Sequence, residues 1–516
     1  MAAKYQQAIA LHRQGNIDAA AGLYDEILKT DPAHFGALHL LGVTRLQGGN
    51  AEDAAVLLAK AVQLDKKQSA AHNNLGSALR ALKRHDEALA SYNRAIALQV
   101  DNAEAHHNRA LVLLDLLRLD QALAGFRKAV ALRPDYADAH TNLGVTLQAM
   151  DRGAEALEAF DRALALQPGA ADVHHNRGHA LQGLRRYAEA RQAFERAISL
   201  NPQHAEAHVA LSECMLQAGE TAGGWREYEW RWSVTVLAPL KRHFQQPVWL
   251  SGQDIAGKTL LIHAEQGLGD TLQFCRYVKL AAERGAEISF EVQPQLRRLM
   301  ESLAGPRQVI SRGDPLPDFD LHCPLLSLPL ALGGDPGTAA DAYLNAVPGE
   351  AEGWQAKLGT SPRPRCGLVW SGAASYRGSA RHRSIPLAEL QPLAACGADL
   401  IGLQVDVREG DRPSLETFHG LKNFGPELRD FADTAALIAA LDLVITVDTS
   451  VAHLAGAMGK PVWILLAYAP DWRWELGGGE QSPWYPTARL FRQPKPHDWA
   501  SVVNAVAGEL RALSSR

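Results

Sequence analysis

Two short turns contain residues whose types and spacing favour chemistry. The first, Gly267-Leu268-Gly269-Asp270, follows the apolar segment 259–264 and precedes a helical pattern. Glycines permit a tight reversal of the chain and a close approach of a ligand, and the N-terminus of a helix favours an anion. Asp270 therefore has two interpretations, as the cap of that helix or as a carboxylate that accepts a proton.

The second turn is Asp448-Thr449-Ser450, with His453 one helical turn further on. It directly follows the apolar segment 441–447, which is typical of a buried strand. Ligands of open α/β sheets bind at the carboxyl ends of the strands, and the amides and hydroxyls of this turn suit a diphosphate. His453 either belongs to that site or packs in the core.

Short apolar segments alternate with amphipathic ones from Lys258 onward, and these elements must position both turns. The apolar segments predict strands, and the amphipathic segments predict helices. The strands are expected at 259–264, 287–292, 365–372, 398–404, 441–448 and 461–466, and the helices at 271–285, 387–396, 433–441 and 449–458. Such alternation predicts parallel sheets in two α/β units, with a break near 340–364.

The residues before these units repeat every 34 positions as far as residue 204. Each period has a small residue, an alanine twelve residues later and a bulky residue four further on. In successive repeats these are Ala8, Ala20 and Tyr24; Gly42, Ala54 and Leu58; Gly76, Ala88 and Tyr92; Ala110, Ala122 and Phe126; Gly144, Ala156 and Phe160; Gly178, Ala190 and Phe194. The pattern resembles the tetratricopeptide repeat and implies an α-solenoid, a superhelix of six repeats. Residues 205–219 are expected to form one further helix that caps it.

A column of asparagines lies on the first helices of successive pairs. In such a solenoid these helices line the concave groove. An amide side chain both donates and accepts hydrogen bonds, so a ladder of amides suits an extended peptide backbone. The column consists of Asn74, Asn108, Asn142 and Asn176 and resembles the ladder of the protein O-GlcNAc transferases. The alternative is that asparagine is common at this position of the repeat. Two residues earlier lies a second column, which we interpret as packing or groove lining rather than a metal site: His72, His106, His140, His174 and His208.

The composition of the 516 residues limits the possible partners and the location. The net charge of −5 predicts no general affinity for nucleic acid. The five cysteines are scattered without a CxxC pair, which indicates reduced thiols, a cytoplasmic location and no zinc site. The N-terminal residues already belong to a repeat and have no signal-peptide core, and no apolar run approaches the length of a membrane span. We therefore expect no integral membrane segment.

The turn at 448–450 belongs to a longer motif, Asp-Thr-Ser-x-x-His-Leu-x-x-Ala-x-Gly-x-Pro, at residues 448–461. This motif resembles the nucleotide-sugar motif of the heptosyltransferase-like glycosyltransferases, and the turn at 267–270 matches their opening Gly-Asp motif. The resemblance implies an α/β GT-B fold, in which two Rossmann-like domains face a cleft. It also implies that the enzyme uses a nucleotide-sugar donor and needs no metal or other cofactor.

An aromatic-rich segment joins the solenoid to these domains. A flexible linker would be polar and rich in glycine and serine, so the aromatic residues predict a packed joint. They are Trp225, Tyr228, Trp230, Trp232, Phe244 and Trp249. The predicted organisation is a solenoid at 1–219, the joint at 220–256, an N-terminal domain at 257–350 and a C-terminal nucleotide-sugar-binding domain at 351–516.

The resemblance also implies roles for individual residues. Asp270 takes the place of the proposed general base, with His263 and Glu265 as rivals because the turn reads HAEQGLGD. The residues expected to bind the nucleotide sugar are Ser371, Gly372, Arg383, Gln404, Asp448, Thr449, Ser450 and His453. Within this set, Arg383 stands where the family usually has a lysine and is expected to offset the charge of the leaving diphosphate, and Gln404 is expected to reach the base or ribose. A group of aromatic side chains either stacks on the sugar or base or closes the cleft structurally: Trp472, Trp474, Trp484 and Tyr485.

Three functions are consistent with this sequence. The leading hypothesis is an inverting glycosyltransferase that moves a sugar from a nucleotide sugar to a protein or peptide held in the groove of the repeats. In the second, the enzyme acts on a lipid-linked or surface glycan, and the repeats recruit partner proteins. In the third, the chain is a non-catalytic scaffold whose GT-B half has lost turnover. The retained acidic and cationic residues argue against the third, because a structural relic needs none of them.

Overall fold

Twelve α-helices in six pairs form the first of two compact units, Met1–Pro202. The helices are α1 (Ala2–Arg13), α2 (Ile17–Thr30), α3 (Phe35–Gln47), α4 (Ala51–Leu64), α5 (Ser69–Ala81), α6 (His85–Leu98), α7 (Ala103–Asp115), α8 (Leu119–Leu132), α9 (Ala137–Ala149), α10 (Gly153–Leu166), α11 (Ala171–Gly183) and α12 (Tyr187–Leu200). The predicted helical solenoid is therefore confirmed. The computed structural model describes residues 1–250, 252–334, 341–372, 383–475 and 479–515.

The small residue of a repeat lies directly against the bulky residue of the same repeat. A Cβ added at Gly76 would lie 2.7 Å from the Tyr92 ring, and one added at Gly144 would lie 2.6 Å from the Phe160 ring. These separations are far shorter than van der Waals contact, so glycine lets the two helices of these repeats approach each other closely.

The histidine column connects the first helix of a pair to the turn before it. Nε2 of His106 is 2.9 Å from the carbonyl oxygen of Val100, six residues earlier. The same contact recurs between His72 and Lys66 at 3.2 Å, His140 and Pro134 at 3.0 Å, and His174 and Pro168 at 3.1 Å. These four histidines thus bind the turn before their own helix, and their lining of the groove stays a prediction.

The turn between the two helices of each pair passes through the left-handed region of backbone conformation. Gly15 and Gly49 have φ of 78° and 81° there. The corresponding residues of the next four repeats are Lys83, Leu117, Asp151 and Arg185, with φ between 57° and 60°. These positions are 34 residues apart, and the next in the series, Gly219, has φ of 80°. The repeat in backbone conformation therefore continues beyond residue 204.

A seventh helix pair opens the second unit, Gln203–Arg516. It consists of α13 (Ala205–Gln217) and α14 (Thr221–Tyr228), which flank Gly219. The positions of the small, alanine and bulky residues are filled by Ser212, Gly224 and Tyr228. The sequence predicted a single capping helix and a joint from residue 220, whereas the structure pairs the two helices. A Cβ added at Gly224 would lie 2.7 Å from Cγ of Leu216, so this pair is as closely packed as the others.

The segment after α14 is packed through aromatic contacts. The ring of His208 stacks on Trp230 with centroids 4.0 Å apart, and its Nδ1 is 2.5 Å from Oε2 of Glu227. Trp225 and Trp249 are 3% and 0% exposed. Short 3-10 helices span Glu229–Ser233 and Ala238–Leu240. His208 therefore departs from the carbonyl contact of the other four histidines, because it faces this segment.

A four-stranded parallel sheet follows, with the strand order β3-β2-β1-β4. Its strands are β1 (Thr259–His263), β2 (Glu287–Val292), β3 (Pro306–Ser311) and β4 (Leu321–Pro324). The connections contain α15 (Leu268–Phe274), α16 (Arg276–Ala282), α17 (Arg297–Met300), α18 (Leu328–Ala331) and 3-10 helices at Pro294–Leu296 and Leu325–Ser327. The chain leaves β1 toward one edge and returns to its other side as β4, so the sheet has a topological switch point between these two strands.

The remaining strands form a six-stranded parallel sheet in the order β10-β9-β8-β5-β6-β7. They are β5 (Arg365–Val369), β6 (Asp399–Gly402), β7 (Leu421–Asn423), β8 (Leu443–Val447), β9 (Val462–Leu466) and β10 (Ala488–Arg492). The helices are α19 (Glu350–Leu358), α20 (Arg412–Thr417), α21 (Phe431–Ala439), α22 (Ser450–Ala457), α23 (Trp472–Glu475) and α24 (Trp499–Ser514), with 3-10 helices at Leu387–Ala395, Glu409–Asp411 and Gly425–Glu427. Here the switch point lies between β5 and β8.

The parallel sheets predicted from strand–helix alternation are confirmed, but some elements differ. Strands β3, β4, β7 and β10 were not predicted. β3 and β7 are partly exposed edge strands and lack a continuous apolar run. The helix predicted at 387–396 is a 3-10 helix with Pro392 inside it, because proline cannot donate the backbone hydrogen bond of an α-helix.

The described residues contain neither a membrane-crossing helix nor a metal-binding cluster. No described helix has the length and apolarity to cross a membrane. Within the same ranges, no group of three or more histidine, cysteine, aspartate or glutamate side chains is arranged to hold a metal ion. The five cysteines are free thiols, and all of them are buried.

Candidate functional site

The two turns singled out in the sequence pack against each other. A Cβ added at Gly269, in the first turn of α15, would lie 3.1 Å from Cδ2 of His453 and 3.6 Å from Cα of Ser450. The absence of a side chain at Gly269 thus lets α15 contact the start of α22. The structure therefore brings the Gly-Asp turn of the four-stranded sheet to the carboxyl edge of the six-stranded sheet.

Both carboxylate oxygens of Asp270 have partners. Oδ2 accepts the backbone N–H of Gly267 at 3.0 Å, which caps α15. Oδ1 accepts a hydrogen bond from Nη2 of Arg473 at 2.8 Å. The interpretation of Asp270 as a helix cap is therefore confirmed. Its role as a proton acceptor stays a prediction, and each oxygen keeps a second lone pair for it.

Arg473, on α23, binds the candidate base of the first turn and was missed in the sequence. Its Nε donates to Oε1 of Gln273 at 2.7 Å, and its Nη1 donates to Oδ1 of Asp471 at 3.0 Å. The guanidinium lies 4.8 Å from the centroid of the Trp472 ring and 5.7 Å from that of Phe274. Only 11% of its side chain is exposed, so this cation is held in one position beside the candidate base.

Asp448 lies buried at the carboxyl end of β8 and faces charges of both signs. Burial raises the pKa of Asp448, the charge of Asp471 raises it further, and the Arg383 guanidinium opposes both effects. Nη1 of Arg383 is 3.5 Å from Oδ2 of Asp448. A shifted carboxyl beside a cation is typical of functional sites, although structural ion pairs produce the same effect.

The N-terminus of α22 offers backbone amides beside this carboxylate. Thr449 is the N-cap residue, and its side chain makes no capping hydrogen bond. Its Oγ1 is instead 3.1 Å from Oγ1 of Thr446. The first amides of α22, from Ser450 onward, therefore have no side-chain cap, which is the arrangement that anion-binding helix termini use.

His453 lies beneath the turn and is fixed by aromatic residues. Its Nδ1 is 2.9 Å from the hydroxyl of Tyr485, and its ring stacks on Trp474 with centroids 5.2 Å apart. Burial lowers the pKa of His453 well below its ordinary value, and the charges of Arg473 and Arg276 lower it further. A neutral, buried imidazole in this place positions the start of α22.

The loop after β5 lies beside β8 at the switch point of the six-stranded sheet. Oε1 of Gln404 accepts the backbone N–H groups of Trp370 and Ser371, both at 3.2 Å, and its Nε2 donates to the carbonyl oxygens of Ser371 and Asp406. Gln404 therefore fixes this loop, and its contact with a base or ribose stays a prediction. The N–H of Gly372 donates to Oγ of Ser384 at 3.3 Å. Residues 373–382 of the predicted loop lie outside the described residues.

The rival bases lie in other surroundings. Glu265 is 4% exposed and accepts hydrogen bonds from Arg231 at 3.2 Å and from the N–H groups of Leu325 and Leu326. Burial raises the pKa of Glu265 to about 7. Burial also lowers the pKa of His263 to about 3, so this histidine is neutral. Glu265 thus binds the backbone that follows β4, and neither rival lies at the contact between α15 and α22.

The four aromatic residues near the C-terminal end of the site are buried. Trp472, Trp474, Trp484 and Tyr485 are 8%, 0%, 2% and 1% exposed. The carbonyl oxygen of Trp484 accepts a hydrogen bond from Nη1 of Arg276 at 3.0 Å. Their burial favours the interpretation that they close the site structurally.

In the first unit, the amide nitrogens of three members of the asparagine column contact the preceding repeat. Nδ2 of Asn108 donates to Oδ1 of Asn73 at 3.2 Å. Nδ2 of Asn74 is 2.8 Å from Nε2 of His39, and Nδ2 of Asn142 is 3.1 Å from Nε2 of His107. These amides thus connect successive repeats, and their role in peptide binding stays a prediction.

Models of known families match both parts of the chain. Residues 5–69, 76–116, 118–151, 137–167 and 171–204 match models of the tetratricopeptide repeat. The repeats are tetratricopeptide repeats. Residues 422–498 match the model of glycosyltransferase family 9 (heptosyltransferase). This segment contains β8, the turn at Asp448, α22 and Arg473. The chain thus combines tetratricopeptide repeats, a type that binds proteins, with a segment of a glycosyltransferase family.

Relatives resemble parts of this protein. Protein FlbA of Caulobacter vibrioides is 30% identical over 334 residues, which cover 59% of this chain and 55% of FlbA. The chain thus spans about half the length of this relative. Among solved structures, MamA is 28% identical, with a TM-score of 0.29. The match covers 31% of this chain and 94% of the MamA chain. PilF of Pseudomonas aeruginosa is 25% identical, with a TM-score of 0.36. This match covers 40% of this chain and 93% of the PilF chain.

Proposed function

We propose that this protein is an inverting, metal-independent glycosyltransferase that moves a sugar from a nucleotide sugar to a protein or peptide bound by its tetratricopeptide repeats. In this proposal the two sheets are the Rossmann-like domains of a GT-B enzyme. The observation that carries the proposal is the contact of Gly269 with Ser450 and His453. This contact supports the proposal because Gly269, next to Asp270, is far from Ser450 and His453 in the sequence.

The donor would bind where the carboxyl ends of β5 and β8 meet. Its diphosphate would contact the uncapped amides of α22 and the hydroxyls of Thr449 and Ser450. Support comes from Ser371, whose buried Oγ has no hydrogen-bond partner among the described residues and lies at the same sheet edge. A buried hydroxyl without a partner is costly, and a ligand oxygen at this position would satisfy it.

Asp270 would act as the general base. The acceptor hydroxyl would give its proton to a free lone pair of the Asp270 carboxylate as its oxygen attacks the anomeric carbon. The bond from that carbon to the diphosphate would break, and its electron pair would go to the phosphate oxygen. Attack opposite to the leaving group inverts the anomeric configuration. Arg473 and Gly267 would hold the carboxylate in place for this step.

Arg383 would offset the charge that develops on the leaving diphosphate. It pairs with Asp448 at 3.5 Å, and 30% of its side chain is exposed, so it can also reach a ligand. A guanidinium forms bidentate hydrogen bonds to phosphate oxygens and stays charged at all physiological pH values. This role makes the proposal independent of a metal ion.

A donor screen tests the proposal directly. Thermal unfolding would be measured with UDP-, GDP-, ADP- and dTDP-sugars by tryptophan fluorescence. One of them is expected to raise the midpoint, because a ligand at about 100 times its dissociation constant stabilises the folded state by about 2.7 kcal/mol. If no nucleotide sugar raises it, the non-catalytic scaffold is the better description.

The Asp270→Asn variant is expected to bind the donor as the wild type does and to lose transfer by about a hundredfold or more. Asparagine has nearly the same shape, but its single Oδ1 can accept from Gly267 or from Arg473 and not from both, and it cannot take a proton. Transfer to the acceptor and thermal stabilisation by the donor would both be measured. Glu265→Gln is the matched control among the rivals. If Asp270→Asn retains wild-type turnover, Asp270 is not the base.

The Asn108→Ala, Asn142→Ala double variant is expected to weaken the binding of a protein acceptor about tenfold and to leave donor hydrolysis unchanged. The reason is the loss of two amides that, in this proposal, bind the acceptor backbone. Asn73→Ala is the control, because it removes the 3.2 Å hydrogen bond of Asn108 from the other side. If both variants lower acceptor affinity equally, the asparagines act only by connecting repeats.

A further inference from the structure

A cavity of about 620 Å³ lies at the carboxyl edge of the four-stranded sheet. His263, at the end of β1, and His322 and Pro324, on β4, line it. These neighbouring strands form the switch point of the sheet, where open α/β sheets bind ligands. The volume lies within the range of pockets for small molecules. None of the residues assigned to the nucleotide sugar lines this cavity.

Backbone pairing fixes one wall of the cavity. Val248 forms a parallel β-bridge with His322. The N–H of Trp249 donates to the carbonyl oxygen of His322 at 2.8 Å, and the N–H of His322 donates to that of Pro247 at 3.1 Å. Trp249 is fully buried. The cavity is therefore preformed by a segment that extends the sheet.

Cations outnumber acids around the cavity. Its lining contains Arg226, Lys241 and Arg242 but a single acid, Glu229. Arg242 forms an ion pair with Glu291, so Arg226 and Lys241 supply the excess positive charge. The Glu229 carboxylate already accepts hydrogen bonds from Arg231, at 2.6 Å, and from neighbouring side chains. Arg226 and Lys241 are exposed, and no ion pair of theirs occurs among the described residues. The lining therefore favours a ligand with a negative charge.

A buried histidine also lines the cavity. His263 is 1% exposed, and its Nδ1 has no hydrogen-bond partner among the described residues. Its Nε2 is 3.3 Å from Nδ1 of His322, which fixes the ring. Burial keeps the ring neutral because it lowers the pKa of His263, and neighbouring positive charges lower it further.

Aromatic rings complete the lining. Trp230, Trp232 and Phe244 face the cavity beside the polar side chains of Ser233 and Gln246. Rings next to hydrogen-bonding groups suit a ligand with both an apolar face and hydroxyls, as a pyranose has. We propose that this cavity binds a hexose-sized sugar that carries a carboxylate or a phosphate.

The test is saturation-transfer NMR on the full chain with glucuronic acid, glucose 6-phosphate and glucose. Both anionic sugars are expected to bind, and the stronger of the two identifies the acidic group. The Arg226→Ala, Lys241→Ala variant is expected to weaken binding about tenfold, because charge-assisted hydrogen bonds are lost. Arg412→Ala, Lys422→Ala is the matched control, since these exposed cations lie outside the cavity. Its affinity is expected to equal that of the wild type.

Three results would overturn the inference. If glucose binds as strongly as the anionic sugars, the negative charge of the ligand does not contribute to its affinity. Unchanged affinity in the Arg226→Ala, Lys241→Ala variant would show that the sugars bind elsewhere. If neither anionic sugar binds, the cavity is not a site for this class of ligand. Binding is measured without transfer, so failure of the proposed glycosyltransferase activity would not affect the result.

Discussion

At the scale of residues, the site owes its order to one arginine. Arg473 binds Asp270, Asp471 and Gln273 through different nitrogens of a single guanidinium. A planar cation with five donors in a fixed fork orients several acceptors at once, whereas the three donors of lysine rotate at the end of a flexible chain. The carboxylate of Asp270 is thus oriented before any substrate binds. Such preorganisation is what a base needs, and it is equally compatible with a purely structural cap.

The ionisation of His263 predicts a pH dependence of stability. Its folded-state pKa of about 3 lies below the ordinary value of 6.5, so the unfolded chain binds a proton that the folded chain does not. Stability from this group is present above pH 6.5 and is lost as the pH falls toward 3. Glu265 acts in the opposite sense: its folded pKa of about 7 makes stability fall as the pH rises from 4.5 to 7.

The His263→Gln variant is expected to lose less stability than the wild type between pH 6.5 and 4.5, by up to about 2 kcal/mol. Glutamine can still hydrogen-bond His322 but does not titrate. Urea unfolding at both pH values would be followed by tryptophan fluorescence. All tryptophans lie at residue 225 or later, so this signal reports the second unit. An identical pH dependence in the two proteins would contradict the assigned pKa.

At the scale of elements, the contact between α15 and α22 depends on the absence of a side chain. The Gly269→Ala variant is expected to destabilise the second unit by about 1–3 kcal/mol and to weaken donor binding. The added methyl group would lie 3.1 Å from the His453 ring. That ring has little freedom to move, because Trp474 stacks on it and Tyr485 hydrogen-bonds it.

Gly508→Ala provides the control for this prediction. Gly508 lies on α24, and an added Cβ there meets no atom within 4 Å. Alanine at an exposed helical position is expected to be neutral or to stabilise by up to about 1 kcal/mol. Denaturant unfolding, followed by tryptophan fluorescence, would measure both variants. If Gly269→Ala is as stable as Gly508→Ala, the two helices are not in the close contact described.

The same elements explain how far the sequence allows prediction. Strand β8 and the turn at Asp448 were predictable, because a continuous apolar run followed by Asp-Thr-Ser is a local signal. Arg473 was not, because its contact with Asp270 joins residues 203 positions apart and no spacing marks it. The seventh helix pair had a signal that was overlooked: Gly219, Gly224 and Tyr228 continue the period, with glycine in place of alanine.

At the scale of the whole molecule, the repeat pattern and the compact units end at different places. The period continues through α14, but the compact units divide between Pro202 and Gln203. α13 explains the difference, because its residues pack with the second unit. Leu216 belongs to the same apolar core as Trp225 and Trp472, and His208 stacks on Trp230. A helix that continues the repeat is thus also part of the core of the unit with the parallel sheets.

This arrangement predicts different behaviour for two fragments. Residues 203–516 are expected to fold and to bind the donor as the full chain does. Residues 220–516, cut at the boundary that the sequence suggested, are expected to unfold at a lower temperature or to aggregate. The cut removes Leu216 from the core and exposes Trp230, and burial of each large apolar side chain contributes about 1.5–3 kcal/mol. A domain has only about 5–15 kcal/mol of net stability, so losing α13 removes a large fraction of it.

Tryptophan fluorescence would give the unfolding midpoints of both fragments. Residues 1–202, followed by circular dichroism, are the control for the solenoid. If the two longer fragments have equal midpoints and equal donor binding, α13 contributes to neither the stability nor the donor binding of the second unit.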